Sequence, residues 1–528
     1  MSTPFPFHSG HPKFRIPGWR ELLGKEECVA APEMARHFLI TGETGSGKSV
    51  SAVMRLLEAI LRYPEEDLYE SYAKEVGRAD SAEDLQPSVL VVDPKEELGE
   101  IVNKEARGRR VIEITNGTAR HAGVPEGRSR VLHLFEGRDL NKLDAFEAMD
   151  LILQHSDFFV QDQARTREPS WNLQAATVLR DFVAIEMYLH KRDKGSVECL
   201  WDRMRHSLSE DDRYASYLPA LDYCAENYFR PHGTLLNICA GEDDRFALDS
   251  YVTAATEMGV PGEMTARLSS LNRLYHGTRS GVIWMVNGIL ADMASEEFAA
   301  CVSVNPLEPP PDELRLSVAD ALNNGDLVVY VPKGTSPVAD MVGRCLKSRF
   351  FAFAFERENK VRPFFYVVDE AHRFLTCGTE DGEQSLLDRC RAYRTGVVLA
   401  TQSIASMAYK LGQGDRNRVA LDMLLNNCGN ALYFRTPDIQ TKENLAERIP
   451  LPPVQGRPHV LKVRPLTSLG VGQCYALRCN GSWGLFQVHL GEDGKVSGQS
   501  GAVHASGERL GGRHPETQFR LSQAPAAP

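Results

Sequence analysis

The octapeptide "GETGSGKS" at 42–49 constrains this chain more than any other stretch. It follows a short apolar run, "RHFLIT" (36–41), and precedes an amphipathic segment, "SVSAVMRLLEAILRY" (49–63). Strand, glycine turn and helix in that order commit the surrounding chain to a sheet whose carboxyl edge meets the amino end of a helix. The glycines let successive backbone N–H groups turn inward on an anion, and the helix adds the positive end of its dipole. Lys48 supplies a cation for β- and γ-phosphates, and Ser49 a hydroxyl for Mg²⁺. Gly42, Glu43, Thr44, Gly45, Ser46, Gly47, Lys48 and Ser49 are therefore the predicted cradle of a bound nucleotide, ATP with Mg²⁺.

A site of this kind needs an acid that the loop does not contain. "FFYVVDEAHRF" (364–374) runs five apolar residues straight into Asp369 and Glu370. An acid at the end of a hydrophobic strand can hold Mg²⁺ through water beside the loop hydroxyl. Asp369 is assigned that part with Ser49, and Glu370 the orientation or deprotonation of an attacking water. "GVVLATQS" (396–403) is a further buried strand ending on a polar side chain. Gln402 would then stand at the carboxyl edge, where an amide can reach the γ-phosphate or the water.

The rest of the chain reads as follows. Residues 1–35 are rich in Pro and Gly and are expected to wrap the surface. A nucleotide-binding part spans 36–143, with strands at "PSVLVVD" (87–93), "RRVIEI" (109–114) and "SRVLHLF" (129–135). The stretch 144–292 turns Leu-, Ala- and Glu-rich, with apolar residues three and four apart, and predicts an inserted all-α domain. The second nucleotide-binding part, 293–490, opens near "NPLEPPPDE" and brings "DLVVYVP", "PFFYVVD", "GVVLAT" and "NALYFRT". It closes on a hairpin of "VGQCYALR" and "GLFQVHL" about "CNGSW". Residues 491–528 have no periodicity and are expected to be disordered. Short apolar strands alternating with helices predict an α/β fold with a mainly parallel sheet covered on both faces.

Composition narrows function. The formal net charge of the 528 residues is −11, so any nucleic-acid surface must be local rather than global. "KEARGRR" (104–110) and the arginines at 389–394 are the local basic stretches. The 11 cysteines include no CxxC pair, and Cys474 and Cys479 form only a loose CxxxxC. That pattern fits reduced thiols in a cytosolic protein and not a zinc site. The amino-terminal stretch lacks the apolar core of a signal peptide. No window reaches the ~18 uninterrupted apolar residues of a membrane helix; the nearest, 280–293, is broken by Asn287 and Gly288.

The three motifs, in this order, resemble those of the additional-strand P-loop ATPases, the FtsK/HerA-like translocases. Within them the chain is most similar to the type IV secretion and conjugation coupling proteins, the TraG/TraD-like family. "SVLVVDPKEEL" (88–98) looks like that family's "DPKGEL" strand end, with Glu96 where the family usually has Gly. "EPSWNLQAATVLRDFV" (168–183) resembles its Trp-containing helix. "DEAHRF", "RCRAYRTGVVLATQS" and "LLNNCGNALYFRTPDIQT" (424–441) resemble its later blocks. The resemblance spans roughly residues 30 to 490.

It implies a RecA-like core, a ring, usually hexameric, with nucleotide sites between subunits, and ATP hydrolysis coupled to moving DNA or a nucleoprotein of the relaxase type. It implies an Arg reaching into the neighbour's site; Arg389, Arg391 and Arg394 stand there, and Arg391 is assigned. Asp93 and Lys95 would be adjacent to the site, Lys95 meeting phosphate or the next subunit. Trp171 is read as packing rather than base stacking. His372 and Arg373 read as a surface pair or as a relay to the ring interface. The family carries membrane helices and this chain shows none. Its implied place is cytoplasmic, or peripheral at the inner membrane through a membrane-anchored secretion partner. Two further readings stand beside the coupling motor: a soluble translocase in mobile-element processing or antiphage defence, and an ATP-gated adaptor that threads no DNA.

Overall fold

The structure, a computed structural model, describes residues 13–23, 27–63, 85–116, 131–156, 158, 170–223, 227–241, 245–312, 314–357, 361–376, 382–412, 414–449, 460–462, 465–488 and 518–520. Nine strands form its main sheet: β1 (Phe38–Thr41), β2 (Ser88–Val92), β3 (Val111–Thr115), β4 (Leu327–Val331), β5 (Phe364–Val368), β6 (Thr395–Thr401), β7 (Asn430–Tyr433), β8 (Gln473–Leu477) and β9 (Trp483–Gln487). Their order is β9-β8-β7-β1-β6-β5-β2-β4-β3. Strands β1 to β7 are all parallel, and the hairpin β8–β9 joins antiparallel to β7. The expected α/β sheet is present. β6 lies between the glycine-loop strand β1 and the acid strand β5, which is the additional-strand arrangement.

The strands read as continuous apolar runs because each has two buried faces. Successive side chains nevertheless part to opposite sides. Leu90, Val92, Tyr366, Val368, Val397 and Leu399 enter one core, while Val89, Val91, Phe365, Val367, Val398 and Ala400 enter the other. The second core is closed by α1 (Met54–Arg62) and by the amino-terminal segment. Phe14, Ile16 and Trp19 are buried there, so described residues before 35 pack into the molecule rather than over it. Phe14 stacks on Tyr63, and Trp19 Nε1 donates to the Ser51 carbonyl at 3.0 Å. That carbonyl lies in Ser49–Val53, which winds as a π-helical turn before α1 begins; an inserted side-chain donor is one recognised cause of such a departure from the α ladder.

The other core extends into a helical layer. It is built from α3 (Ala145–Leu153), α4 (Ser170–Arg192), α5 (Ser196–Ser209), α6 (Arg230–Cys239), α7 (Phe246–Glu257), α8 (Gly262–Arg273) and α9 (His276–Leu290). The short α2 (Leu98–Lys104), which follows β2, instead buries Leu98 and Val102 in the second core beside α1. The long α4 touches α3, α5, α8 and α9. The carboxylate of Glu186, fully buried on α4, is satisfied by Trp201 Nε1 at 3.1 Å, His232 Nε2 at 2.9 Å and the Tyr228 hydroxyl. Among the described residues no helix is long and apolar enough to cross a membrane.

The run at 129–135 differs from expectation. Val131–His133 is a strand, but it pairs in parallel with Val302–Ser303 and Arg315–Leu316 in a separate three-stranded sheet. Its partners are two-residue strands flanking the proline-rich turn, too short for any periodicity to announce. The chain then continues through α10 (Pro337–Glu356), α11 (Glu383–Cys390), α12 (Ile404–Leu411), α13 (Asp415–Asn427) and α14 (Ile439–Arg448). The stretch 491–528 lies outside the described residues except for Gln518–Arg520, which pair with Val460–Lys462.

Candidate nucleotide site

Register brings the motifs together. Tyr433, Thr41 and Thr401 lie side by side, as do Leu399, Val368, Val92 and Tyr330. The loop after β1, Gln402 after β6, Asp369 and Glu370 after β5, and the turn after β2 therefore share the carboxyl edge.

The loop conformation requires its glycines. Gly45 and Gly47 have φ of +77° and +91°, where a Cβ is strained. A Cβ on Gly47 would also lie 2.8 Å from the Gly472 nitrogen. Gly472 N–H donates to the Ser46 carbonyl at 3.0 Å, so the loop before β8 supports the glycine turn from beneath. Arg435, just past β7, donates to Glu43 Oε1 at 2.6 Å and fixes the shoulder of the loop. Thr44 and Gly45 are exposed at its crest. Neither Gly472 nor Arg435 was singled out from sequence. The only signal for Arg435 is its place after "NALYF", a strand ending level with β1.

Within this cradle the Ser46 hydroxyl is buried and has no hydrogen-bond partner among the described residues. The Lys48 side chain is buried and makes no hydrogen bond to a described residue. Burial, and then the neighbouring Lys95, hold its ammonium below the ordinary lysine pKa against Asp369 and Glu370. A glycine turn at a helix amino end, an orphaned hydroxyl and an unengaged cation fit a polyphosphate. Ser49 Oγ stands 3.4 Å from Asp369 Oδ2. A hydroxyl beside a carboxylate is the hard oxygen donor set that suits Mg²⁺.

The acids are held apart in function by geometry. Asp369 Oδ1 accepts from the Glu370 N–H at 2.8 Å, which leaves Oδ2 toward Ser49. Glu370 has left-handed backbone, φ 51° and ψ 43°; such strain in a non-glycine residue concentrates at functional positions. Gln402 Nε2 donates to Glu370 Oε2 at 3.2 Å. Burial alone would raise the Glu370 pKa, but the hydrogen bond and charge of Lys95, with Lys48 and Gln402, bring it below the usual carboxylate value. Glu370 is thus ionised at neutral pH, as a base must be.

Asp93 faces another way. It is fully buried and accepts from the N–H groups of Glu97, Leu98 and Gly99 at 3.2, 2.7 and 2.8 Å, capping α2. Lys95, in the same turn, lies 2.8 Å from Asp369 Oδ2 and 2.7 Å from Glu370 Oε1. His372 is half-buried, 3.6 Å from Glu370 and 3.3 Å from the Thr401 hydroxyl. Arg373 is paired with Asp340 at 2.8 Å. The two are not a free surface pair.

The arginine helix is elsewhere. Arg389, Arg391 and Arg394 are exposed just before β6 begins, at the amino edge and roughly 20 Å of strand away from the site on the same chain. Arg389 lies over the Phe355 ring, and Arg391 makes no side-chain hydrogen bond or ion pair to a described residue. Trp171 is partly exposed on α4 and packs toward Gly281 of α9. The three arginines of the basic stretch at 104–110 each make contacts within the chain, while Arg107 and Arg110 stay exposed. Arg107 donates to the Arg62 carbonyl, Arg109 to the Pro87 and Leu61 carbonyls, and Arg110 pairs with Asp326.

No family model matches the chain, and no curated protein matches it. Solved structures do. An unbound form of the bacterial conjugative coupling protein TrwBdeltaN70 is 14% identical, with a TM-score of 0.50 over 88% of this chain and 87% of its own. The plasmid coupling protein TrwB in complex with ADPNP is 15% identical, with a TM-score of 0.49 over 92% and 95%. VirB4 of Thermoanaerobacter pseudethanolicus is 14% identical, with a TM-score of 0.42 over 93% and 99%. The first of these establishes a shared fold.

Proposed function

We propose, from a fold shared with the bacterial conjugative coupling protein TrwB, that this chain is an ATP-hydrolysing subunit of a ring motor that moves or recruits DNA or nucleoprotein for conjugative transfer or secretion. The observation that carries it is the 3.4 Å approach of Ser49 Oγ to Asp369 Oδ2 across 320 residues, with Gln402 on the adjacent Glu370. Ser49 and Asp369 would hold Mg²⁺, which when bound neutralises phosphate charge. The loop amides and Lys48 bind and orient the phosphates. Glu370, ionised and steadied by Gln402, takes the proton of the attacking water. Arg391 serves a neighbour's site, since its own lies at the far edge of the sheet.

One observation favours the second reading, an ATP-gated adaptor that threads no DNA. The guanidinium groups of 104–110 already have partners in carbonyls and Asp326, although Arg107 and Arg110 remain exposed. The deciding experiment measures ATPase rate with and without single- and double-stranded DNA across a salt series. The motor reading expects DNA stimulation that falls steeply with salt. DNA-insensitive hydrolysis beside tight binding of a protein partner establishes the adaptor instead. In either case Glu370→Gln should retain ATP and lose turnover by about a hundredfold or more; full turnover in that variant removes Glu370 from the role of base.

A further inference from the structure

Lys95 projects from the turn after β2 onto two carboxylates of the neighbouring strand end. Its Nζ touches Asp369 Oδ2 at 2.8 Å and Glu370 Oε1 at 2.7 Å. That Asp369 oxygen is the one facing Ser49. Both acids are buried, whereas Lys95 remains about one-third exposed, so it reaches in from the open side. Two adjacent buried carboxylates repel each other and are poorly solvated. An ammonium between them satisfies both.

A divalent cation would satisfy the same oxygens with twice the charge, and it cannot share Asp369 Oδ2 with an ammonium without strong repulsion. The turn itself has little need to move. Asp93 holds it through three backbone N–H groups, while the lysine stem has four rotatable bonds. We propose that Lys95 is a displaceable stand-in for the divalent cation. It holds Asp369 and Glu370 in the nucleotide-free protein and swings onto the terminal phosphate when Mg²⁺ and a nucleoside triphosphate enter. This rests on the nucleotide-site reading above. It makes Lys95 a residue that keeps the acid pair ordered but unavailable until the full ligand is present, and that then contacts the terminal phosphate and so distinguishes triphosphate from diphosphate.

The test uses the full chain without nucleotide and Mn²⁺ as the probe, read by electron paramagnetic resonance. Lys95→Met and Lys95→Gln should each bind Mn²⁺ about tenfold or more tightly than wild type, because the competing charge is gone. In fluorescence titrations with labelled nucleotides at fixed Mg²⁺, both variants should lose about tenfold in ATP affinity with ADP affinity unchanged. Thermal unfolding of each variant identifies one that has not folded, and the other then carries the measurement. Mn²⁺ affinity unchanged or weakened in the folded variants overturns the stand-in. Equal loss for ATP and ADP overturns the transfer to the terminal phosphate. A Lys48→Ala protein that still binds ATP like wild type would instead remove the nucleotide site itself, whatever Mn²⁺ does.

Discussion

Glu96 shows how one side chain records a backbone demand. It stands where the resembling coupling proteins usually have Gly, and its φ is 61°. The turn from β2 into α2 needs a left-handed residue there so that Asp93 can receive three successive N–H groups. A non-glycine residue in that region costs roughly 1–2 kcal/mol. Its carboxylate recovers little, since the ion pair with Lys333 is half-exposed on both sides and such pairs contribute ~0–1 kcal/mol. Glu96→Ala keeps the strain and loses the pair, whereas Glu96→Gly loses both. The glycine variant should therefore be more stable than the alanine variant by about 1 kcal/mol, the reverse of their order in a helix. Urea denaturation of the two variants measures it, and an alanine variant equal to or above the glycine variant removes the strain argument.

What could be read ahead of the structure is what lies along one strand or one turn. The glycine loop, the acid pair and Gln402 were legible because each ends an apolar run, and parallel register then aligns the run ends. The partners that cross between elements were not. Lys95 and Asp369 are 274 positions apart, and Gly472 reaches Ser46 from the far hairpin. Helix α10 was opaque for another reason. Asp340, Arg344, Lys347 and Arg349 are charged yet buried, so no apolar stripe marks its face. Lys347 donates to the Phe374 carbonyl at 2.6 Å and pairs with Glu383, tying the turn after the acid pair to α11, which leads to Arg391. Glu383 also accepts the Thr376 N–H at 2.9 Å. Removing one member of such a pair leaves a buried charge and costs about 3–5 kcal/mol. Lys347→Met should lose that much stability in chemical denaturation, and Lys347→Met with Glu383→Gln should regain at least half. A single variant within ~1 kcal/mol of wild type would show the pair to be solvated.

The molecule as a whole carries an acid sensitivity spread over three separate places. His37 enters β1, donates to the Leu387 carbonyl of α11 at 3.0 Å and is held down to a pKa of about 4, by burial first and against that hydrogen bond. His133 sits in the small parallel sheet, donates to the Asn305 carbonyl at 3.0 Å and is likewise lowered by burial to about 4. His155, after α3, is fully buried, has no hydrogen-bond partner among the described residues on either ring nitrogen and is pushed well below its ordinary value by burial, with Arg344 adding to it. All three stay neutral in the folded protein while the unfolded chain protonates them near pH 6.5. Between about pH 6.5 and 4 the unfolded state therefore binds more protons, so stability rises with pH across that window and is lost on acidification. Each histidine contributes a limiting slope of ~1.4 kcal/mol per pH unit, about 4 for the three together. Carboxylates with lowered pKa values, Glu370 among them, add their own loss only at lower pH. Those with raised values, such as buried Asp93, oppose it. Between pH 6.5 and 5 the buried histidines, with His372 adding to them, drive the loss against the carboxylates whose values are raised. Urea unfolding at steps of half a unit should show a falling free energy there and a plateau above about pH 7.5. His133→Asn should flatten the slope by about one proton whatever it does to the absolute stability. A flat wild-type profile between pH 7 and 5 would mean that these rings accept protons in the folded state, and the helical and sheet cores that bury them would then have to admit water well before the protein unfolds.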